Sequence, residues 1–427
     1  MATFDNLPEE IVLKIFKFVP QSCLQNDIAK VCERWQRISR DNSLYRDVHF
    51  DARLSLNMAI DVIQKYAQHI NRLVISRRLD TDDILKVLPA CTNLTSLTAD
   101  SCTGWFIPYG RISTEVDADL ISTILEKNAK LGSLRISHST VKNGGIKIGA
   151  GHCLDTLVLK NSYYQRSIEE RGLLNQAKLR VLNLQGLILN KATLYEVILK
   201  NHQTLETIKL DVWEPQLGSN DQVLNAISKC HRLNKLLIRN VSFYNISDHS
   251  IQQLTKLSHL TSLTFSKMDN VSPKSFANLF KQPHSKNYTK IHLSACEGVN
   301  STVVRTIAKN CPNLINLTLH QPKATNGNLF TAVDLIYLAS KCVQLRFLDL
   351  CYTHFSIGIA IPVIVYFLPN LKRFKYYLNS SSNPSSKFVS DTILKFLVSH
   401  LRDFDVKIGL NSHLDETITG YRCNLKS

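Results

Sequence analysis

The chain has 427 residues, 44% of them hydrophobic and 20% charged, with a formal net charge of +16, the composition of an ordinary globular protein of two or three domains. The opening MATFDNLPEE has no basic n-region or apolar h-region, and the longest apolar run, 357–368, is broken by Pro362 and too short to span a bilayer, so no secretory signal or membrane anchor is expected. The eleven cysteines include no Cys-x-x-Cys pair and no zinc spacing, and Cys423, fifth from the end, makes no prenylation signal, so an intracellular protein, cytoplasmic and/or nuclear, without metal or cofactor is expected.

The first elements are helical. Pro8 suits the first position of a helix, and the two acids after it favour its positive end. Ile11, Ile15 and Phe16 form an apolar stripe with Val12 and Val19 beside it, and Pro20 is expected to close the helix. A second helix is predicted near Leu24 to Val31, running toward Cys32, Glu33, Arg34 and Trp35, with Ile38 continuing its apolar face. Fewer than fifty residues make a weak core, so this module should lean on a partner or on the next part of the chain.

A repeat occupies most of the remaining sequence. The unit Leu-x-x-Leu-x-Leu, or a close variant, is centred on Leu73, Leu97, Leu134, Leu157, Leu182, Ile208, Leu236, Leu263, Ile291, Leu317, Leu348 and Phe374. From 157 to 317 the steps between centres are 25, 26, 28, 27, 28 and 26 residues. Each unit's second half reads as a short helix opened by a good N-cap, as at Ser219, Ser247 and Asn300. Neither half buries its apolar face alone, but stacked copies share one core, with parallel strands inside a curve and helices outside. Cys91, Cys230, Cys311 and Cys342 lie six residues before their centres, and Cys102 and Cys296 five after, so these cysteines read as structural. Insertions after the Leu97 and Leu317 strands lengthen two steps, and GGIKIGAG at 144–151 is expected to replace a helix with a loop.

The order Leu7, Pro8, Glu10, Ile11, Ile15, Phe16, Leu24, Val31, Cys32, Trp35, Ile38, Asp41 and Leu44 resembles the F-box, with Tyr45 standing where that family commonly has Trp. The repeats resemble the cysteine-containing type of leucine-rich repeat. Together they resemble the F-box/leucine-rich-repeat family of substrate receptors in SCF-type cullin-RING ubiquitin ligases. The resemblance implies an α/β leucine-rich-repeat solenoid over 48–411, preceded by a small all-α adaptor-binding module over 1–47 and followed by a C-terminal tail, 412–427. It implies that Leu7, Pro8, Ile11, Ile15, Phe16, Leu24, Val31, Cys32 and Trp35 bind a Skp-family adaptor and, through it, the cullin-RING ligase. The protein would then be no enzyme itself; other subunits would transfer ubiquitin to a bound protein, marking it for proteasomal degradation. The competing reading of Leu7–Tyr45 is a helical cap on the first repeat, and that of the whole chain is a repeat scaffold acting outside a ligase, on acidic protein or nucleic acid.

Residues 1–50 hold seven Lys/Arg and seven Asp/Glu, so the rest of the chain carries the whole positive charge. The residues one before, one after and three after each centre should point away from the core. That places Arg72, Arg135, Lys160, Lys209, Lys235, Arg239, Lys290, His292, His320, Arg373 and Lys375 on the inner face, against Asp100, Asp211 and Asp349. An acidic or phosphorylated protein segment is the expected partner, met by Arg135, Lys160, Lys209, Lys235, Arg239, Lys290 and His292 in particular, with Lys235, Arg239 and Lys290 on adjacent repeats. The alternative is an ordinary solvated strand surface. Trp105 in the insertion, beside Phe106, Tyr109 and Arg111, is a candidate anchor or a cover for neighbouring repeats, and Trp213 carries the same ambiguity. No catalytic residues are proposed: Gly149 and Gly151 precede a strand rather than opening a helix, and no phosphate-binding Gly-Lys-Ser/Thr loop is present. Membrane and nucleic acid are not the expected partners.

Overall fold

The computed structural model describes residues 4, 7–51, 53–76, 81–100, 114–137, 139–142, 145–149, 151–152, 154–160, 173–174, 176, 178–185, 191–210, 221–239, 246–268, 270–320, 330–350, 366–375 and 405–407. It divides into two compact units, Met1–Leu205 and Glu206–Ser427.

The first unit opens with helices α1 (Glu9–Phe16), α2 (Gln21–Asn26) and α3 (Glu33–Ser39). Pro20 does not close α1, as its position after the apolar stripe suggested; α1 ends at Phe16 and Pro20 is the N-cap of α2. The predicted helix from Leu24 to Val31 is likewise split, into the end of α2 and a single 3₁₀ turn, Ile28–Lys30. Cys32 caps α3, its sulfur accepting the Trp35 N–H at 3.5 Å. The module is sealed by Tyr45, which is fully buried. Its hydroxyl donates to the Ser39 carbonyl at 2.8 Å and accepts from Gln25 Nε2 at 2.6 Å, and its ring stacks on Tyr66 at 3.6 Å. Tyr66 ends α4 (Leu56–Tyr66), the first outer helix, so the small module borrows the core of the repeats.

The strands of this unit are β1 (Asp47–Phe50), β2 (Arg72–Ser76), β3 (Ser96–Asp100), β4 (Thr114–Asp117), β5 (Ser133–Ser137), β6 (Ser139–Lys142), β7 (Thr156–Lys160) and β8 (Val181–Leu184). They pair parallel in the order β1-β2-β3-β5-β7-β8, with Leu73, Leu97, Leu134, Leu157 and Leu182 in one register row. All five leucines of that row are buried to 0% exposure, which is the core that the repeat predicts. β4 and β6 form a separate parallel pair that the sequence did not announce. Gly145–Gly149 is non-helical, with Ile146 and Ile148 buried.

Buried amides join successive repeats of this unit. Asn128 Oδ1 accepts the Leu94 N–H, Gln176 Oε1 the Leu154 N–H and Asn201 Oδ1 the Leu179 N–H, each at 2.8 Å. Asn201 Nδ2 also donates to the carbonyls of Gln176 and Val197, again at 2.8 Å. Buried polar groups of the turns are thereby satisfied.

The second unit repeats the plan: β9 (Thr207–Leu210), β10 (Lys235–Ile238), β11 (Ser262–Ser266), β12 (Lys290–Ser294), β13 (Asn316–His320), β14 (Phe347–Asp349), β15 (Arg373–Lys375) and β16 (Asp405–Lys407) pair in chain order, all parallel. Ile208, Leu236, Leu263, Ile291, Leu317, Leu348 and Phe374 share one row. Ser247 and Asn300 cap the helices Asp248–Gln253 and Ser301–Asn310 as expected. Each of three helix-start aspartates accepts the backbone N–H that opens the next repeat's helix: Asp82 from Asp117 at 3.1 Å, Asp221 from Ser247 at 2.9 Å and Asp248 from Ser272 at 2.7 Å.

Candidate functional site

Two surfaces concentrate exposed chemistry. On α1, Val12 and Phe16 face inward, leaving 0% and 1% exposed, while Ile11 and Ile15, four residues apart, stay outside with 39% and 37% exposed. Phe18 (90%), Val31 (59%) and Phe4 (40%) add to the exposed apolar groups of the module. Pro8 is exposed and Leu7 partly buried; the Leu7 carbonyl accepts from the Arg34 guanidinium, and Arg37 pairs with Glu9, locking α1 to α3. Phe16 and Leu24, both proposed as adaptor contacts, belong instead to the module's interior, because each supplies the inward side of its helix. Trp35 is partly buried between Phe4, at 4.9 Å between ring centroids, and Phe16, at 5.5 Å. Cys32 is exposed but engaged as a cap. Phe4 and Phe18 went unnoticed in the sequence, although Phe18 lies three residues past Ile15 at helical spacing.

The second surface is the inner face of the second unit. Lys290, His292, Arg373 and Lys375 line a groove of about 640 Å³ together with Asn316, Thr318, Phe347, Asp349, Arg346 and Lys372. Arg346 and Lys372 sit two residues before their centres, a position that reads as turn, which is why the sequence did not single them out. Asp349 is almost buried: Oδ1 lies 2.9 Å from His320 Nε2, and Oδ2 lies 3.9 Å from Lys375 Nζ. His320 Nδ1 in turn lies 3.2 Å from Ser294 Oγ. Beside this serine–histidine–aspartate chain, the N–H groups of Lys267 and Ala295 donate to the Ser294 and His320 carbonyls at 2.9 Å. The His292 ring stands 5.7 Å from that of His320. Burial, helped by His320, Arg239 and Lys290 and opposed by Asp349, pushes His292 down to about 4, so it is neutral near pH 7.

The remaining inner-face candidates are placed elsewhere. Arg135 and Lys160 belong to the first unit, where their register partners are Thr98 and Val158 for Arg135 and Ser137 for Lys160. Lys209, Lys235 and Arg239 are on or beside β9 and β10; Lys209 pairs with Leu237 and Lys235 with Ser262. Lys235 and Lys290 do not lie on adjacent repeats: β11 runs between them, with Ser262 in register with both. Trp105, Phe106, Tyr109, Arg111, Cys102, Asp211, Trp213 and the tail 412–427 lie outside the described residues.

Residues 4–51 match the family model described as F-box-like. Among solved structures, the chain is similar to one from the yeast complex of Rad7 and Elc1, at 14% identity and a TM-score of 0.46, over 88% of this chain and 91% of that one. It is also similar to the leucine-rich-repeat-containing protein LegL7 from Legionella pneumophila, at 11% identity and a TM-score of 0.33, over 80% of this chain and 94% of that one. Residues 4–51 are an F-box-like domain, and the described strands and helices beyond them form leucine-rich repeats.

Proposed function

We propose that the chain is the substrate-recognition subunit of an SCF-type cullin-RING ubiquitin ligase, working in the cytoplasm or nucleus. The F-box-like domain docks onto a Skp-family adaptor, and the repeats hold a protein destined for ubiquitination. The observation that carries this reading is the F-box-like domain itself, in which Val12, Phe16 and Leu24 are buried while Ile11, Ile15, Phe18 and Val31 stay exposed. Apolar groups left exposed on a folded module are the material of an interface. The chain contributes no chemistry in this scheme. It raises the local concentration of a substrate lysine beside the charged conjugating enzyme.

Co-expression with a Skp-type adaptor tests the docking. The wild-type chain should co-purify with the adaptor, and Ile11→Asp combined with Ile15→Asp should abolish the complex without unfolding the repeats. A wild-type chain that retains no adaptor of this type sinks the proposal.

A further inference from the structure

The strands of the second unit are parallel, so the chain must be carried back between them, and the turns that enter β10 to β15 all fall on one edge of the sheet. Backbone bonds stitch those turns into a ledge. The N–H groups of Thr261, Thr289, Ile315, Arg346 and Lys372 each donate to the carbonyl at the same place one repeat earlier, from Asn234 onward, at 2.8–2.9 Å. Side-chain amides add a second seam: Asn313 Nδ2 donates to the Lys286 carbonyl at 2.9 Å and Asn370 Nδ2 to the Val343 carbonyl at 3.2 Å. At the usual strand spacing the ledge extends for about 24 Å.

Cations line it. Lys229, Lys256, Lys281, Lys286, Lys309 and Lys341 are exposed, and none has an acidic partner among the described residues. The turns 228–234, 255–261, 280–289, 308–315, 340–346 and 366–372 contain no Asp or Glu. Helix C-termini favour cations, which accounts for a lysine in a last turn. That rule acts in both units alike, yet the first unit's turns also hold Glu126 and Asp155, and Asp155 pairs with Arg180 at 3.7 Å. The far end of the ledge is apolar. Beyond the F-box-like domain, the exposed large hydrophobic residues among those described are Val333, Tyr337, Val343 and Tyr366. Val343, 42% exposed, and Tyr366, 81% exposed, stand in the last two turns of the ledge.

A rigid edge of like charge suits an extended anionic surface, and exposed tyrosine and valine at its end suit the boundary between headgroups and acyl chains. Charge and apolar contact together hold a bilayer where either alone binds weakly. A nucleic-acid backbone would use the lysines but give Val343 and Tyr366 nothing to bury against, and a single strand would call for aromatic platforms along the cations. We propose that this edge docks the second unit on the anionic surface of a lipid bilayer, with the lysines at the headgroups and Tyr366 and Val343 in the interface. No sequence window announces such a surface, because the lysines come from separate repeats and meet only when the repeats stack. The expectation of no membrane anchor concerns spanning, not this peripheral contact. The proposal does not depend on adaptor docking; taken with the receptor reading, it places substrate capture at a membrane.

The test is co-sedimentation of the full chain with vesicles of phosphatidylcholine alone or with about 30 mol% phosphatidylserine, at about 0.15 M salt. Association with the anionic vesicles should be at least about tenfold tighter and should fall steeply as salt rises. Lys256→Gln, Lys286→Gln and Lys309→Gln together should remove most of that preference. Val343→Ser with Tyr366→Ser should weaken binding severalfold while the preference for anionic lipid stays. Lys267→Gln with Lys274→Gln, on the opposite edge after β11 and at the start of the helix Pro273–Leu279, should change nothing. Unchanged thermal unfolding checks that each variant is folded, as expected for exposed side chains. Equal association with neutral and anionic vesicles, a preference that survives the triple variant, or the same loss from the opposite edge overturns the proposal. Release of the chain from anionic vesicles by an equal charge of duplex DNA or of polyglutamate overturns it too, in favour of that polymer. Ile11→Asp with Ile15→Asp should bind vesicles like the wild type, so that failure of adaptor docking and failure of this proposal are told apart.

Discussion

The two units solve one packing problem with different side chains at the turn before each strand. In the first, Asn128, Gln176 and Asn201 fill the turn and bond to the backbone of the neighbouring repeat, while Cys91 stands there as a buried thiol. In the second, Cys230, Cys311 and Cys342 stand at that place, and their sulfur contacts are long: Cys342 Sγ to the Cys311 carbonyl at 3.5 Å and Cys230 Sγ to the Ala226 carbonyl at 3.7 Å. Burial pushes the Cys230 and Cys342 thiols up to about 12 and raises Cys311 further, so they act as small apolar groups with a weak donor. Register in the first unit is therefore written partly in directional hydrogen bonds, and in the second mostly in shape. The inner faces differ as well. Beside its centres, the first unit carries two basic residues, Arg72 and Arg135, whereas the second carries five, Lys209, Lys235, Lys290, Arg373 and Lys375.

The comparison breaks first at the turns. Asn201→Ala orphans the buried Leu179 N–H and two carbonyls, an expected loss of about 2–4 kcal/mol. Cys311→Ala removes one sulfur from a packed site and should cost about 1 kcal/mol. Urea unfolding of both variants decides the matter, and equal losses would show that the amides are no more specific than the thiols.

A smaller effect is expected on the inner faces. Reversing Lys290 and Lys372, which line the groove, to Glu should weaken capture of an acidic partner about tenfold, roughly 1.4 kcal/mol, and steeply with salt. The matched reversal of Arg135 and Lys160 should change it by less than about twofold. Similar losses from the two pairs would spread the binding field over both units.

The smallest effect concerns pH. His292 titrates near 6.5 in the unfolded chain and at about 4 in the folded one. As pH falls, the unfolded chain takes up this proton first. The stability linked to neutral His292 is therefore complete above 6.5 and is lost between 6.5 and 4. His292→Gln should narrow the difference in Tm between pH 7 and pH 5. A variant with the wild-type difference would assign the pH dependence to other groups. Asp334 is not among them: burial alone would raise its carboxyl, but hydrogen bonds from Ser301, Thr331 and Arg305 hold it below the ordinary range, well under the window measured.

The centres of the repeats were legible because one physical demand, burial of every strand's central residue in a shared core, recurs in each unit. Hence the rows from Leu73 to Leu182 and from Ile208 to Phe374 emerge in register. The pair β4 and β6 has no such recurrence to announce it. Gly298 illustrates a different blindness: a Cβ there would lie 2.1 Å from the Val271 carbonyl oxygen, a demand set by a residue of the preceding repeat. The site was legible only in part. Residue type picks out basic positions, but the inward or outward sense of Ile11 against Val12, and the convergence of Arg346 and Lys372 on Lys290, depend on packing that no local pattern encodes.

The helix-start aspartates give the solenoid a directional latch. Asp82, Asp221 and Asp248 each hold the first N–H of the following repeat's helix, so the link runs forward along the chain. A repeat that opens withdraws the carboxylate from its successor and exposes that helix's start, while its predecessor loses no cap of its own. Fraying should then travel more easily toward the C-terminus than back from it, an asymmetry that amide hydrogen exchange at Asp117, Ser247 and Ser272 would display as a polarity in protection.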